Sequence, residues 1–124
     1  MKKYNVLNKQ FLLIQSYRYW IKKPDGEKAR QLLETAKTKG YCEPEQKLSG
    51  NKLRSWVKNE RAPIWAYKAS VELLLETEYQ PRTNEEIEAL ALIISSIGKE
   101  KSALSEGLQQ NQALCDLVYG VVGT

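Results

Sequence analysis

The residues best suited to chemistry lie between Ser49 and Asn59. Within Ser49-Gly50-Asn51-Lys52-Leu53-Arg54-Ser55-Trp56-Val57-Lys58-Asn59, the apolar residues Leu53, Trp56 and Val57 are spaced by three and four. In a helix they share one stripe facing a core. The other side carries Asn51, Lys52, Arg54, Ser55 and Lys58, all hydrogen-bond donors and none acidic. A helix with that surface suits the major groove of duplex DNA. There Asn pairs with the adenine edge, Arg or Lys with the guanine edge, and Ser with base or phosphate. Ser49 is a natural N-cap, and the amides of a first turn at Ser49 and Gly50 suit a phosphate. Gly50 costs helix stability but permits close approach to a backbone. The plainer reading is an amphipathic surface helix with a solvated basic face.

Other chemistry has few candidates. The chain holds no histidine, and its two cysteines, Cys42 and Cys115, are far apart. That argues against a transition-metal site and against His-based or Cys-His catalysis. Both cysteines read as small buried hydrophobes rather than a disulfide pair. The carboxylates fall in helix-like runs and read as solvated faces. No catalytic residue, cofactor, metal or small-molecule substrate is expected, and the chain is not expected to be an enzyme. Tyr17-Arg18-Tyr19-Trp20, with Lys22 and Lys23, mixes rings and cations as single-strand binders do. Because Tyr17 and Trp20 continue an apolar stripe, core packing is the expected role. Lys9, Arg18, Lys22, Lys23 and Lys68 could add phosphate contacts.

The distribution of charge points the same way. Residues 1–68 hold 16 Lys/Arg against 6 Asp/Glu, whereas residues 69–124 hold 3 against 9. One half is suited to a polyanion and the other is not. With 124 residues and 42% apolar content, one modest core is affordable and disorder is disfavoured. No apolar run approaches a membrane span, and no secretory signal directs the chain out of the cytoplasm.

The elements that must position the basic helix are also helices. Apolar spacing predicts one from Asn8 to Lys23, broken by the turn Pro24-Asp25-Gly26, and a second from Glu27 to Lys39 stopped by Gly40. Residues 41–47 are a loop, or a short turn opened by Pro44. After Ser49–Asn59, Pro63 starts a helix reaching Glu76, with Trp65 and Tyr67 supporting the core. A linker at Gln80-Pro81-Arg82 precedes a helix opened by Thr83 or Asn84 and ended by Gly98. A long last helix spans Lys99 to Val121. The fold class is all-α.

Residues 48–63, from Leu48-Ser49-Gly50-Asn51-Lys52-Leu53-Arg54-Ser55-Trp56 to Lys58-Asn59-Glu60-Arg61-Ala62-Pro63, resemble the recognition helix and exit loop of Cro/C1-type helix-turn-helix repressors. The resemblance implies a helix-turn-helix domain with Leu48, Leu53 and Trp56 in the core. Gly50, Asn51, Lys52 and Ser55 would face bases or phosphates, and Arg61 would lie beside the DNA backbone. The chain departs from that family before the helix. Gly40 to Lys47 contains Pro44 and lacks the expected Ala and Gly turn, so the supporting helix is either one turn long or is Glu27–Lys39 across a longer connection. The expected organisation is a basic DNA-binding domain at 1–79 and an acidic C-terminal helical hairpin at 80–124. That hairpin would pair with a second copy through Leu90, Ile94, Leu104, Leu108 and Val118, giving a homodimer on duplex DNA. The expected function is sequence-specific transcriptional regulation, as in a phage or plasmid repressor. The alternative is a helical inhibitor or adaptor with a basic surface.

Overall fold

The computed structural model describes residues 10–120, and every element among them is helical. The helices are α1 (Phe11–Trp20), α2 (Asp25–Thr38), α3 (Gly50–Lys58), α4 (Ile64–Leu74), α5 (Asn84–Ile97), α6 (Glu106–Gln109) and α7 (Gln112–Tyr119). A 3₁₀ turn at Lys101–Ala103 lies between α5 and α6. The expected cap at Asn8, and Lys9, lie outside the described residues. Among the described residues no helix is long and apolar enough to cross a membrane, and Cys42 and Cys115 are free thiols.

Helix α4 is the axis of the molecule. Its sequence is apolar nearly all round, and Trp65, Ala66, Tyr67, Ala69, Val71, Leu73 and Leu74 are buried, as expected of a helix covered on every side. It packs on α1, α2 and α5. Pro63 takes the N-cap position in an extended conformation, where its missing N–H costs nothing. Helix α2 begins at Asp25 rather than Glu27, because Pro24 has the extended backbone of an N-cap and Lys28 N donates to its carbonyl at 2.9 Å. The break therefore lies at Ile21–Lys23, and Asp25 and Gly26 belong to the first helical turn. Gly40, at φ 76°, ends α2, with Tyr41 N donating to Ala36 O at 2.8 Å.

Two expectations change in the second half. The single helix foreseen from Lys99 to Val121 is broken into the 3₁₀ turn, α6 and α7. Ser105 and Asn111 each restart a helix by accepting from the amides of Leu108 and Leu114. A continuous helix of that length would extend about 35 Å, well past the end of α5; the breaks fold the chain back so that α7 lies along α5. Leu90, Ile94, Leu104 and Leu108, assigned from sequence to a second copy, are buried in the chain's own core, and Val118 packs against it. That apolar cluster runs from Leu13 to Leu114 and crosses the expected boundary at residue 80.

The carboxylates also depart from the solvated reading. Glu86 is buried and accepts from Ser16 Oγ at 2.7 Å and from the Tyr79 hydroxyl, joining α1, α5 and the segment between α4 and α5. Glu72 is buried on α4, where it accepts from Tyr41 and pairs with Lys99 Nζ at 2.8 Å. Burial disfavours its charge, but the Lys99 ammonium and the Tyr41 hydroxyl more than compensate, so its pKa is lowered.

Candidate nucleic-acid interface

Helix α3 is built as its sequence suggests. Ser49 is the N-cap, its Oγ accepting from Lys52 N at 3.1 Å. Leu53 and Trp56 are buried, and Leu48 and Val57 pack on the core. The Trp56 ring meets Trp65 of α4 edge-on, at 5.6 Å between centroids. At the other end, Glu60 N donates to Val57 O and Arg61 N to Trp56 O, the paired bonds of a Schellman ending. Glu60 occupies the left-handed position, φ 57°, where glycine is usual. The exit loop is fixed further by Ala62 N donating to the Tyr67 hydroxyl at 2.9 Å.

Helix α3 packs chiefly against α2 and also against α1. The connection between α2 and α3, residues 39–49, contains only a turn in which Gln46 N donates to Glu43 O. Its length far exceeds the three or four residues of a standard helix-turn-helix joint. The close approach that Gly50 permits is to the protein itself: a Cβ there would lie 2.9 Å from Gly26 N and 3.1 Å from the Asp25 carbonyl carbon. Gly50 thus brings the first turns of α2 and α3 together rather than presenting its backbone outward.

The remaining site residues form three rows on α3. Asn51, Ser55 and Lys58, at spacings of four and three, point away from the core; Asn51 and Lys58 are exposed and Ser55 is half-buried. On one flank Arg54 reaches back to α2, its Nη1 lying 3.0 Å from Asp25 Oδ2, and its Nη2 donates to Asn51 Oδ1. Asp25 also binds Arg18 of α1 at 3.0 Å and faces Lys28 at 3.7 Å. The Arg18 guanidinium above all, against the opposing effect of burial and with help from Arg54, holds the Asp25 carboxyl below its ordinary pKa. This junction joins α1, α2 and α3, yet nothing in the sequence spacing announces it, because Asp25 and Arg54 are 29 residues apart.

The other flank opens into a cleft of about 500 Å³ lined by Lys52, Ser55, Trp56, Asn59, Arg61, Ala62 and Pro63. Asn59 Nδ2 donates to Ser55 Oγ at 3.1 Å, which leaves the serine hydroxyl hydrogen free to donate into the cleft. No carboxylate lines it. Among the described residues Lys52 and Arg61 have no ion-pair partner. The cleft can hold an anion of phosphate size between two cations, a hydroxyl and an amide. Asn59 is the member that sequence reading left out.

The aromatic segment divides as expected. Tyr17 is buried, its hydroxyl donating to Lys28 O at 2.7 Å, and Trp20 packs edge-on against Tyr79. Tyr19 is exposed, with Lys22 and Arg82 each 4.5 Å from its ring centre. Lys68 lies over the Tyr41 ring at 5.6 Å. Comparison with protein-family models, curated proteins and solved structures found no match for this chain.

Proposed function

We propose that this chain binds double-stranded DNA through α3 and its exit loop, as a small transcriptional regulator that blocks access to the site it occupies. One observation carries the reading. The outward rows and the cleft of α3 offer only cations and neutral hydrogen-bonding groups, on a helix whose opposite face is locked into the core. Such a helix enters a major groove with its outermost row toward the base edges and its flanks toward phosphates. Lys52 and Arg61 then serve the backbone, while Asn51, Ser55 and Lys58 face the bases. Helix α2 supplies the support that the first helix gives in a helix-turn-helix, across a longer connection.

The test is duplex binding by fluorescence anisotropy over a salt series. The wild-type slope should report several phosphate contacts, and Lys52→Ala or Arg61→Ala should each lower it by about one. Lys101→Ala is the control, because Lys101 is exposed on the short turn after α5; Lys99 would be a poor one, since it pairs with buried Glu72. Absence of duplex binding, or equal loss in all three variants, would remove the proposal.

A further inference from the structure

We infer that Lys22 and Arg82, held against the exposed ring of Tyr19, form a second contact to the DNA backbone beyond the Arg54 flank of α3, an inference that rests on the DNA reading above. The two cations come from segments far apart in sequence, and buried contacts bring those segments together. Trp20, at the end of α1, packs edge-on against Tyr79 with 6.0 Å between ring centres. The buried carboxylate of Glu86 accepts from Ser16 of α1 and from Tyr79, and Arg82 N donates to it at 3.3 Å. The core therefore sets the meeting of Lys22 with Arg82. Each charge lies 4.5 Å from the centre of the Tyr19 ring, and Tyr19 is 56% exposed.

Two like charges gathered on one ring repel each other. The ring face attracts each of them but neutralises neither. Among the described residues neither Lys22 nor Arg82 has an ion-pair partner, although Glu78 and Glu85 flank Arg82 in sequence. An incoming anion relieves that repulsion, and continuity with α3 makes the anion a phosphate of the duplex. Asp25 joins Arg54 of α3 to Arg18 of α1, each at 3.0 Å, and Lys28 Nζ donates to Arg18 O at 2.7 Å. Burial above all lowers the Lys28 pKa; Asp25 opposes this, and the charges of Arg18 and Lys22 add to it. Lys22 is thus within electrostatic reach of the Asp25 junction. The cations follow one another from Arg54 through Arg18 and Lys22 to Arg82. Asp25 engages Arg18, Lys28 and Arg54 and leaves Lys22 and Arg82 to meet phosphate. A helix seated in a major groove has a strand's backbone along each flank. The cleft with Lys52 and Arg61 serves one of them, and this belt serves the other.

The experiment is fluorescence anisotropy with duplexes of increasing length, from about one helical turn to about two, each over a salt series. It would use the wild type, Lys22→Gln, Arg82→Gln, the double variant, Lys52→Ala and Lys101→Ala, with matched thermal melts. Each Gln variant should flatten the salt slope by about one and the double variant by about two. Adding Lys52→Ala to the double variant should remove about one more, because the contacts are separate. The wild type should gain affinity as the duplex lengthens past the footprint of α3. The double variant should reach its plateau at a shorter length, a difference that loss of folding would not produce. A double variant that matched Lys101→Ala in slope and length dependence would overturn the inference, while a slope still flattened by Lys52→Ala would leave the DNA reading intact. A loss seen with single-stranded oligonucleotide and not with duplex would overturn it as well. No duplex bound by the wild type would remove the DNA reading, and this with it.

Discussion

At Gly50 a single methyl group decides how closely two helices meet. The Cβ of an alanine would lie 2.9 Å from Gly26 N and 3.1 Å from the Asp25 carbonyl carbon, against backbone that cannot rotate away. Gly50→Ala should therefore destabilise the protein by about 1 to 3 kcal/mol despite alanine's better helix propensity, read as a lowered thermal midpoint. Glu60 has the opposite sign. It holds a left-handed backbone at φ 57°, a conformation that costs a side-chain-bearing residue about 1 kcal/mol or more. Glu60→Gly should raise the midpoint, and by removing a carboxylate next to Arg61 it should also tighten duplex binding at low salt. Asp25 adds a dependence on pH. Its folded-state pKa is depressed, so its contribution is complete above the unfolded value of about 4 and is lost as pH falls through the folded value. Asp25→Asn should lower stability at neutral pH and flatten the acid slope of the denaturant midpoint, although Glu72, lowered as well, retains part of that slope.

At the scale of elements, local signals were legible and long-range ones were not. Ser49, Pro63 and Thr83 mark helix starts with a mechanism that needs only neighbouring residues, and α3, α4 and α5 begin where those residues place them. The apolar stripe of α3 was legible for the same reason. Beyond local reach lay the packing of α3 on α2, because the contact is made through Gly26, Gly50 and the Asp25–Arg54 pair across an irregular connection. The last helix was misread because Leu104, Leu108, Cys115 and Val118 keep a helical spacing even though the chain bends between them. Ser105 and Asn111 carried the missing signal as caps inside an apparently continuous pattern. Asn111→Ala tests their weight: losing the cap bond to Leu114 N should cost about 1 kcal/mol and loosen α7 without altering duplex binding. Hydrogen exchange confined to residues 112–119 would show this.

For the molecule as a whole, the charge division and the core do not follow the same boundary. The basic helices and the acidic C-terminal segment differ in sign, yet one apolar cluster runs through both. The large exposed hydrophobics among the described residues, Tyr19, Ile64, Leu92 and Leu117, sit on four different helices. Pairing of two copies, one chain per half-site of a duplex, belongs to the proposed reading, and sedimentation of the protein with and without duplex tests it. Truncation probes the core more severely. A chain ending at Tyr79 would lose Leu90, Ile93, Ile94, Leu104, Leu108 and Leu114, all buried in the common cluster. At about 1.5 to 3 kcal/mol for each such side chain, their loss matches the whole stability of about 5 to 15 kcal/mol typical of a domain. It would also strip Glu86 from Ser16 and Tyr79, and Lys99 from Glu72, leaving a buried carboxylate on α4 without its cation. The fragment 1–79 should therefore lack a cooperative thermal transition and be digested rapidly by protease. A fragment that melted cooperatively and still bound duplex would show instead that the basic helices form an autonomous domain and that α5 to α7 merely cover it.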